Sequence, residues 1–363
     1  MFRYFLILFT LLSISVQGQS TIQAEAGIQR KTKNWDTLKY QKFETVVIVG
    51  WISQYRTFRN EFDQTANKDT LNLSKHTYST ETDAAGSQGF VFNYDKFQLW
   101  LTWSPKPPDN NNGRGHTEVF NIGLNVGDNR WVSENYFRKF KGFYDDRTPN
   151  YDSTNFNKTK QYDLRPSMVS SLFMTRFMHF TNYKKFAYKS GFGCNYRQLK
   201  PAFSLIVGGS FSAFNLKNDS AIMPLQARYL YTDYGNMRGL SSLNISANFG
   251  VAGTFVILKA WFVNAYYTFG PEMQLRNYDL ITNHSKKTFL GGSGTGRVSF
   301  GLNLKKFYFI GSYTDDRNSY NVKSTLRHKA VSHNFAVTIG VRINAKTPKF
   351  YQKFQQTKLY GFL

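Results

Sequence analysis

Hydrophobic and polar residues alternate along several long segments of the chain. The clearest segment is residues 333–343, in which every second residue from Phe335 is apolar: Phe335, Val337, Ile339, Val341 and Ile343. The same two-residue period recurs in residues 120–126, 203–212 and 298–304. Because successive side chains of a strand point to opposite faces, each segment predicts a strand with one apolar and one polar face.

The polar rows consist mainly of Gly, Ser and Asn with a few cations, a composition that suits a hydrated lumen better than a packed core. A sandwich of two sheets gives the same alternation, with its apolar rows meeting each other. Strand length favours the membrane, because several runs reach about nine or more residues, as a tilted membrane strand requires, whereas soluble strands average about five or six. The sequence predicts an all-β fold, an antiparallel transmembrane β-barrel of about 12–14 strands with short periplasmic turns and longer external loops.

Four tetrads of similar composition separate the alternating runs. They are YDKF (Tyr94–Phe97), YKKF (Tyr183–Phe186), LKAW (Leu258–Trp261) and LKKF (Leu304–Phe307). Each tetrad predicts a tight hairpin whose two central residues form the turn, because aromatic rings prefer the membrane interface and a lysine at the tip reaches water. All four turns are predicted to lie at the same rim of the barrel.

Longer polar segments are predicted to form external loops: Pro105–His116, Lys141–Pro166 and Asp279–Lys287. The linker Leu216–Gly239 leaves two alternatives open. An additional strand near Leu225–Asp233 gives about fourteen strands, and its absence gives about twelve; both numbers are even, as is the rule for such barrels.

The ends of the chain indicate export to the envelope. Residues 1–18 combine an early cation, a short apolar run and small or polar residues, the three-part layout of a secretory signal peptide. We expect a mature N-terminal segment over residues 19–42, the barrel over 43–344 and a basic, aromatic tail over 345–363. The tail is expected either to return as a strand with Phe362 near its end or to lie in the periplasm. The expected location is the outer membrane of a Gram-negative bacterium.

The composition is basic and aromatic. Lys and Arg total 46 against 23 acidic residues, for a formal net charge of +23, and the chain holds 34 Phe and 23 Tyr. Aromatic girdles around a polar lumen account for the aromatic content. The charge predicts anionic partners, and the export signal directs that prediction to outer-membrane lipids and lipopolysaccharide or to anionic small solutes, not to nucleic acid. These features leave the oligomeric state open.

Candidate chemistry is sparse. The stretch GGSGTGR (Gly291–Arg297) has glycines spaced as in a phosphate-binding loop, but Arg and Val occupy the Lys and Ser/Thr positions, so we interpret it as a strand whose glycines face the lumen. The histidines are not spaced as metal pairs, and Cys194 is the single cysteine. We therefore predict no catalytic, cofactor-binding or metal-binding residues. Five polar residues are predicted to face the lumen: Lys189, Asn195, Arg297, Asn303 and Arg342.

The pattern as a whole favours a non-enzymatic membrane barrel, either a narrow pore or a structural, lipid-contacting component of the envelope. Basic residues in the lumen would give a pore a preference for anions, and pairing with inward acids is the alternative. Two other functions share the pattern. One is a membrane-embedded lipid-modifying enzyme that uses Ser and His, and the other is a soluble periplasmic β-sandwich or lipocalin-like binding protein.

Seven segments in a fixed order resemble a known family. They are Tyr136–Tyr144, Asp163–Met168, Asn182–Phe192, Asn195–Lys200, Leu205–Ser210, Asn218–Pro224 and Ala252–Phe262. On these segments the chain resembles the domain of unknown function 4421 family, which consists of outer-membrane-like β-barrel proteins of Gram-negative bacteria. The resemblance implies a barrel-like envelope protein. It implies no activity and no catalytic residue, because the family is uncharacterised.

Overall fold

The computed structural model describes residues 35–44, 46–64, 76–83, 85–105, 112–225, 228–231, 234–320 and 326–362. The predicted signal peptide, residues 1–18, lies outside the described residues, as does most of the predicted N-terminal segment. Fifteen strands lie within the described residues: β1 (Tyr40–Lys42), β2 (Val46–Gln64), β3 (His76–Glu81), β4 (Ala85–Tyr94), β5 (Phe97–Trp103), β6 (Glu118–Gly127), β7 (Trp131–Asp145), β8 (Asp163–Phe180), β9 (Tyr196–Gln198), β10 (Ala202–Lys217), β11 (Met237–Ile257), β12 (Trp261–Leu280), β13 (His284–Asn303), β14 (Phe307–Tyr320) and β15 (Leu326–Asn344).

Short helices occur in the connections and in the C-terminal tail. They are α1 (Thr148–Tyr151), α2 (Ser153–Thr159), α3 (Lys189–Phe192), α4 (Lys349–Gln355) and α5 (Lys358–Phe362), with a 3₁₀ turn at Arg228–Tyr231. None of the helices in the described part of the chain combines the length and the apolar character needed to cross a bilayer.

Thirteen of the strands form one antiparallel sheet that closes on itself. The closing seam joins β2 to β15, from the pair Val46–Asn344 to the pair Gln64–Leu326. β3 and β4 pair with successive parts of β2, so together they occupy a single strand position in the wall. Twelve strand positions therefore surround the lumen in the described part of the chain, and the predicted count of about 12–14 strands is confirmed.

The outer face of the barrel is apolar and the enclosed face is largely polar. On β15, Phe335, Ile339 and Val341 are 46–47% exposed, whereas Ala336 and Arg342 are buried. On most other strands, Asn, Gln, Ser and Thr side chains are buried in the lumen. An apolar surface that extends around the wall is far larger than the patches soluble proteins expose, and hydrocarbon is the solvent that suits it. The fold is a transmembrane β-barrel, as predicted, and the alternative of a two-sheet sandwich is wrong.

Ile339→Arg is expected to destabilise the barrel by about 2–4 kcal/mol, the penalty for a cation near the middle of the lipid-facing band. The matched control is Leu225→Arg, because Leu225 lies in a loop and is already 74% exposed. Its stability is expected to change by less than about 0.5 kcal/mol. Urea unfolding of protein folded in lipid vesicles measures both effects. Equal stability of the two variants would place Ile339 outside the hydrocarbon.

The short hairpin turns lie at one rim, called the turn rim below. Asp95–Lys96 and Lys305–Lys306 form the tips between β4 and β5 and between β13 and β14, as predicted. The turn between β11 and β12 is shifted by one residue from the prediction, because its central residues are Leu258 and Lys259, with φ values of 51° and 59°. Two consecutive positive φ angles are the geometry of a type I′ turn, whose twist matches that of a hairpin.

The hairpin predicted at Tyr183–Phe186 is wrong. β8 ends at Phe180 and β10 begins at Ala202, and residues 181–201 leave the sheet and return to it at the same rim. This connection, called the plug segment below, folds into the lumen and contains α3 and β9. Because the plug segment leaves and returns at one rim, the strand directions alternate correctly without an additional strand. Residues 228–231, where one predicted alternative placed that strand, form a 3₁₀ turn.

Apart from the plug segment, the long connections lie at the opposite rim, called the loop rim, as predicted, but the strands extend further than expected. β7 continues to Asp145 and β8 begins at Asp163, so their connection is shorter than Lys141–Pro166. Between β12 and β13 only residues 281–283 remain outside the strands. Polar residues beyond the apolar band continue the ladder because their backbone groups still pair with the neighbouring strand.

The C-terminal tail forms two short helices at the turn rim and does not return as a strand. Asp95, at the β4–β5 turn, accepts hydrogen bonds from the Tyr351 hydroxyl at 2.9 Å and from the Tyr360 hydroxyl at 2.5 Å. Lys42, at the end of β1, pairs with the same carboxylate at 2.8 Å. A single turn residue therefore joins the N-terminal strand and the C-terminal helices to the barrel.

Candidate functional site

The plug segment is held in the lumen by hydrogen bonds from polar wall side chains to its backbone carbonyls. Ser299 on β13 donates to the Gly191 carbonyl at 3.0 Å. Gln98 on β5 donates to the Phe192 carbonyl at 3.0 Å. Buried carbonyls need donors once they leave water, which explains why the wall positions facing the plug hold Ser and Gln.

The plug segment approaches the wall closely at Gly191. A Cβ atom at this position would lie 2.7 Å from the Asn264 Cβ and 3.1 Å from the Ser299 Oγ. A side chain here would therefore push the plug segment away from β12 and β13. The close approach to the wall explains this glycine.

The structure places the five predicted lumen residues in the interior, although only three of them lie on strands. Lys189 lies on α3 and Asn195 lies elsewhere in the plug segment, whereas Arg297, Asn303 and Arg342 lie on the wall. Four of the five are buried, and the Arg297 side chain is 16% exposed. Their predicted influence on solute selection stays a prediction.

Arg342 links the last strand to the plug segment. Its Nη2 donates to the Cys194 carbonyl at 2.7 Å and to the Asn303 Oδ1 at 2.7 Å. The Asn303 side chain in turn donates to the Ser190 carbonyl at 3.1 Å. The guanidinium lies 4.0 Å from the centre of the Phe43 ring. These contacts tie the plug segment to β13, to β15 and to the chain just before β2.

Lys189 binds two wall carbonyls. Its Nζ donates to the Lys96 carbonyl at 3.0 Å and to the Gly127 carbonyl. Burial lowers the pKa of the Lys189 amine to about 7, and the Asp128 carboxylate opposes this shift only in part. The amine therefore loses its proton more readily than a lysine in water, and either protonation state can donate to the two carbonyls.

Raising the pH from about 7 to 10 is expected to tighten the docking of the plug segment. The pKa of Lys189 lies below its ordinary value of 10.5, so the unfolded chain binds more protons in this window and stability rises with pH. Below pH 7 the amine is charged in both states and the cost of burying it is fully present. The docking equilibrium is expected to change by at most about tenfold per pH unit.

Maleimide labelling of Cys194, divided at each pH by the rate for denatured protein, measures this docking. Lys189→Met removes the titrating amine and is expected to give a flat profile between pH 7 and 10. An unchanged rise in the methionine variant would assign the pH dependence to another group.

Two carboxylates and three arginines form a buried ion cluster in the middle of the lumen. Glu134 on β7 pairs with Arg297 at 3.0 Å and with Arg176 at 3.4 Å. Asp316 on β14 pairs with Arg138 at 3.2 Å and with Arg176 at 3.6 Å. The pairs join β7 and β8 to β13 and β14, so the cluster braces the barrel across the lumen.

A fourth arginine, Arg56 on β2, has no carboxylate within pairing distance among the described residues. Its Nε donates to the Asn334 Oδ1 at 3.2 Å, and its Nη2 donates to the Gln54 Oε1 at 2.9 Å. The residue is 4% exposed, and its Nη1 is buried without a hydrogen-bond partner in the described part of the chain. With the ion cluster, four arginines face two carboxylates, an excess of two positive charges.

A cavity of about 120 Å³, called the chamber below, lies beside these arginines. Arg56, Arg138 and Arg297 line it, together with the amides of Asn93 and Asn125. Residues 191–194 of the plug segment form another part of its lining. A water molecule needs about 10–15 Å³, so the chamber has room for several waters or for a small ion.

An apolar core fills the lumen at the loop rim. Inward side chains of the wall, among them Phe58, Phe62 and Phe140, pack there against Ile222 and Met223 from the β10–β11 connection. The rings of Phe58 and Phe140 stack with their centres 5.1 Å apart. Because a packed apolar interior leaves few voids as large as a water molecule, this core closes the loop rim.

Metal-binding geometry is absent from the described residues, where no group of three or more His, Cys, Asp or Glu side chains is placed to hold an ion. Burial raises the pKa of the Cys194 thiol to about 12, which makes it a poor nucleophile.

Thr295 faces the lumen, so Gly294 and Gly296 on the same strand face outward. A Cβ at either glycine would lie 3.5 Å from Tyr267, and the expectation that these glycines face the lumen is wrong.

Sequence reasoning identified Arg297 but missed the other members of the ion cluster. A usable signal exists in the strand pairing, because Glu134 on β7 lies directly opposite Arg176 on β8. Opposite charges at facing positions of neighbouring strands attract each other. Arg138 lies four residues beyond Glu134, on the same face of β7. The pairs across the lumen carry no local signal, because they depend on the curvature of the closed wall.

The family model described as a domain of unknown function (DUF4421) matches residues 39–343. The chain belongs to this family. The predicted family resemblance is confirmed. In this DUF4421 member the plug segment, the ion cluster and the chamber all lie within the matched residues.

Solved structures similar to this DUF4421 chain include three outer-membrane proteins. The outer membrane protease OmpT from Escherichia coli covers 83% of this chain and 97% of its own, with 7% identity and a TM-score of 0.37. The toluene transporter TodX of Pseudomonas putida covers 81% and 89%, with 6% identity and a TM-score of 0.27. The attachment invasion locus protein Ail of Yersinia pestis covers 83% and 100%, with 9% identity and a TM-score of 0.20. No curated protein matches the chain significantly. At these scores the similarities carry no argument about function.

Proposed function

We propose that this protein is a filled, non-enzymatic β-barrel of the Gram-negative outer membrane, exported through a cleaved signal peptide. In this proposal the turn rim faces the periplasm, because short turns lie on that side of such barrels. The apolar wall contacts membrane lipids and lipopolysaccharide. The chamber then belongs to the periplasmic half of the lumen, with the plug segment beneath it.

The observation that carries this proposal is the apolar core at the loop rim. Phe62, Met168 and Leu216 in this core are fully buried, as are Ile222 and Met223 of the β10–β11 connection. Opening it would expose several large side chains at about 1.5–3 kcal/mol each. The plug segment is held by hydrogen bonds worth about 0.5–1.5 kcal/mol each and also by an apolar cluster of its own, in which Phe186 and Tyr188 pack against Phe180 at the end of β8. The loop-rim core contains no residue of the plug segment, so it closes its rim independently of the plug segment.

Planar-bilayer recording of the purified protein tests this proposal. We expect no stepwise current, with an open porin reconstituted in the same way as the positive control. A steady single-channel conductance would overturn the filled barrel and support the alternative of a narrow pore.

Membrane fractionation and N-terminal sequencing test the location and the export signal. The protein is expected in the outer-membrane fraction, with heat-modifiable migration on gels and a mature N-terminus close to residue 19. Recovery in the soluble periplasmic fraction, or an intact residue 1 on the membrane protein, would contradict the respective part of the proposal.

A further inference from the structure

We propose that the chamber is a binding site for a small tetrahedral oxyanion, with inorganic phosphate as its test ligand, held by Arg56, Arg138 and Arg297. This site goes beyond the filled barrel proposed above, because equilibrium binding in the lumen requires no conduction. Three separate observations lead to it: the excess of buried positive charge, the unpaired donors that line the chamber, and the unpaired acceptors beside them.

Among the charged side chains that line the chamber, three are arginines and one, Glu134, is a carboxylate, so the local charge balance calls for an anion. Four arginines face the carboxylates of Glu134 and Asp316, and those two acids pair with the other three arginines and not with Arg56. A buried charge without a partner is strongly unfavourable, so native proteins pair such groups or supply a counter-ion. An oxyanion in the chamber supplies the missing negative charge beside Arg56.

The chamber also holds hydrogen-bond donors that no described residue uses. The Nη1 of Arg56, the Nε of Arg138, the Nε of Arg297 and the Nε2 of Gln54 are buried without a partner in the described part of the chain, and all four residues line the chamber. Guanidinium groups present planar, fork-shaped sets of donors that match the oxygens of phosphate or carboxylate. Convergence of three such groups on about 120 Å³ suits a compact oxyanion better than an extended chain.

Two acceptors refine the choice of ligand. The Oδ1 atoms of Asn93 and Asn125 are buried without a partner among the described residues. The amide orientations are fixed, because the Asn93 Nδ2 donates to the Gly193 carbonyl at 2.5 Å and the Asn125 Nδ2 donates to the Gln98 Oε1 at 3.1 Å. An acceptor beside an anion site selects a ligand that carries an O–H group. Inorganic phosphate is protonated at neutral pH and sulfate is not, so the chamber is expected to prefer phosphate.

The plug segment controls access to the chamber. Gly193 and Cys194 contribute to the lining, whereas the apolar core closes the loop rim. The ligand therefore enters from the turn rim when the plug segment undocks, and redocking covers it. Protein folded into detergent micelles in the presence of phosphate reaches this equilibrium without waiting for the plug segment to open.

The experiment compares ligands and variants at constant ionic strength. Protein is folded and dialysed with chloride, sulfate or phosphate over a range of concentrations, and the midpoint of thermal unfolding and the retained phosphate are measured. Arg56→Gln removes the unpaired cation, and Asn125→Asp places a carboxylate in the chamber. The matched control is Arg317→Gln, because Arg317 is exposed on the outer face of β14 and pairs with Asp315.

Phosphate is expected to raise the unfolding midpoint of the wild type and of Arg317→Gln, with sulfate weaker and chloride without effect. Its affinity is expected to fall at least tenfold in Arg56→Gln and in Asn125→Asp, while both variants keep the heat-modifiable migration of a folded barrel. Without phosphate, Arg56→Gln is expected to be at least as stable as the wild type, because an uncompensated charge has been removed. Equal phosphate binding by Arg56→Gln and the wild type, equal effects of chloride and phosphate, or no retained phosphate in the wild type would each overturn the proposal.

Discussion

Replacing residues 184–202 with a two-residue Asn-Gly turn is expected to open the chamber to the periplasmic side without making the barrel conduct. Such a short connection is feasible because Asn182 already lies against the start of β10, where its Nδ2 donates to the Phe203 carbonyl at 2.8 Å. A two-residue Asn-Gly loop has the twist that a hairpin requires. The loop-rim core contains none of residues 184–202, so that seal stays in place.

Labelling by a membrane-impermeant maleimide measures the opening. Ala336 lines the chamber and is 3% exposed, so Ala336→Cys is its reporter, in a Cys194→Ser background where the plug segment is present. The labelling rate is expected to rise roughly a hundredfold on replacement of the plug segment, which corresponds to the loss of about 2.8 kcal/mol of protection at ~1.4 kcal/mol per factor of ten.

A second cysteine at Ala330 provides the matched control. Ala330 is also a buried alanine on β15, but it belongs to the loop-rim core. Its labelling is expected to stay slow in both backgrounds, and planar-bilayer recordings of the shortened protein are expected to stay silent. Fast labelling of the cysteine at position 330, or a steady current, would show that the plug segment also supports the loop-rim core.

Glu134→Gln is expected to destabilise the barrel by about 3–5 kcal/mol, because it leaves Arg176 and Arg297 without one of their buried carboxylates. The matched control is Glu118→Gln on β6. Glu118 has a side chain that is 63% exposed and pairs with Lys141 at 3.8 Å, a contact worth less than about 1 kcal/mol. Urea unfolding in lipid vesicles gives both values.

A double variant separates the stabilisation by the Glu134–Arg297 ion pair from the cost of leaving a buried arginine without a carboxylate. Glu134→Gln combined with Arg297→Gln is expected to recover part of the lost stability, since Arg176 keeps Asp316 as a partner and the guanidinium that Glu134→Gln leaves unpaired, that of Arg297, is then removed. No recovery, together with a loss in the single variant no larger than that of Glu118→Gln, would mean that water screens the cluster from the low-dielectric interior.

The wall of the barrel follows from sequence because its determinant is local. Strict alternation in residues 333–343 predicts which side chains face lipid, and the structure confirms it for Phe335, Ile339 and Val341. The turn at Asp95–Lys96 follows from the same logic, since it lies where one alternating run ends and the next begins.

The plug segment did not follow from sequence for an equally physical reason. YKKF at Tyr183–Phe186 has a composition similar to that of the true turn tetrads, and local composition cannot distinguish a hairpin from a chain that re-enters the lumen. The inward orientation of Phe58 and Phe62 did not follow from sequence either. Both residues keep the two-residue period of β2, and they differ from most other inward-facing residues only in being apolar.

The hydrogen bond from Arg342 to the Cys194 carbonyl has a consequence for how the barrel is assembled. β15 is the last strand to leave the ribosome, and its pairing with β2 completes the wall. The same strand therefore closes the cylinder and contributes a contact to the plug segment, so the plug segment gains its full set of wall contacts only once the cylinder is closed. Complete docking of the interior is therefore expected to be the last step in the biogenesis of this protein.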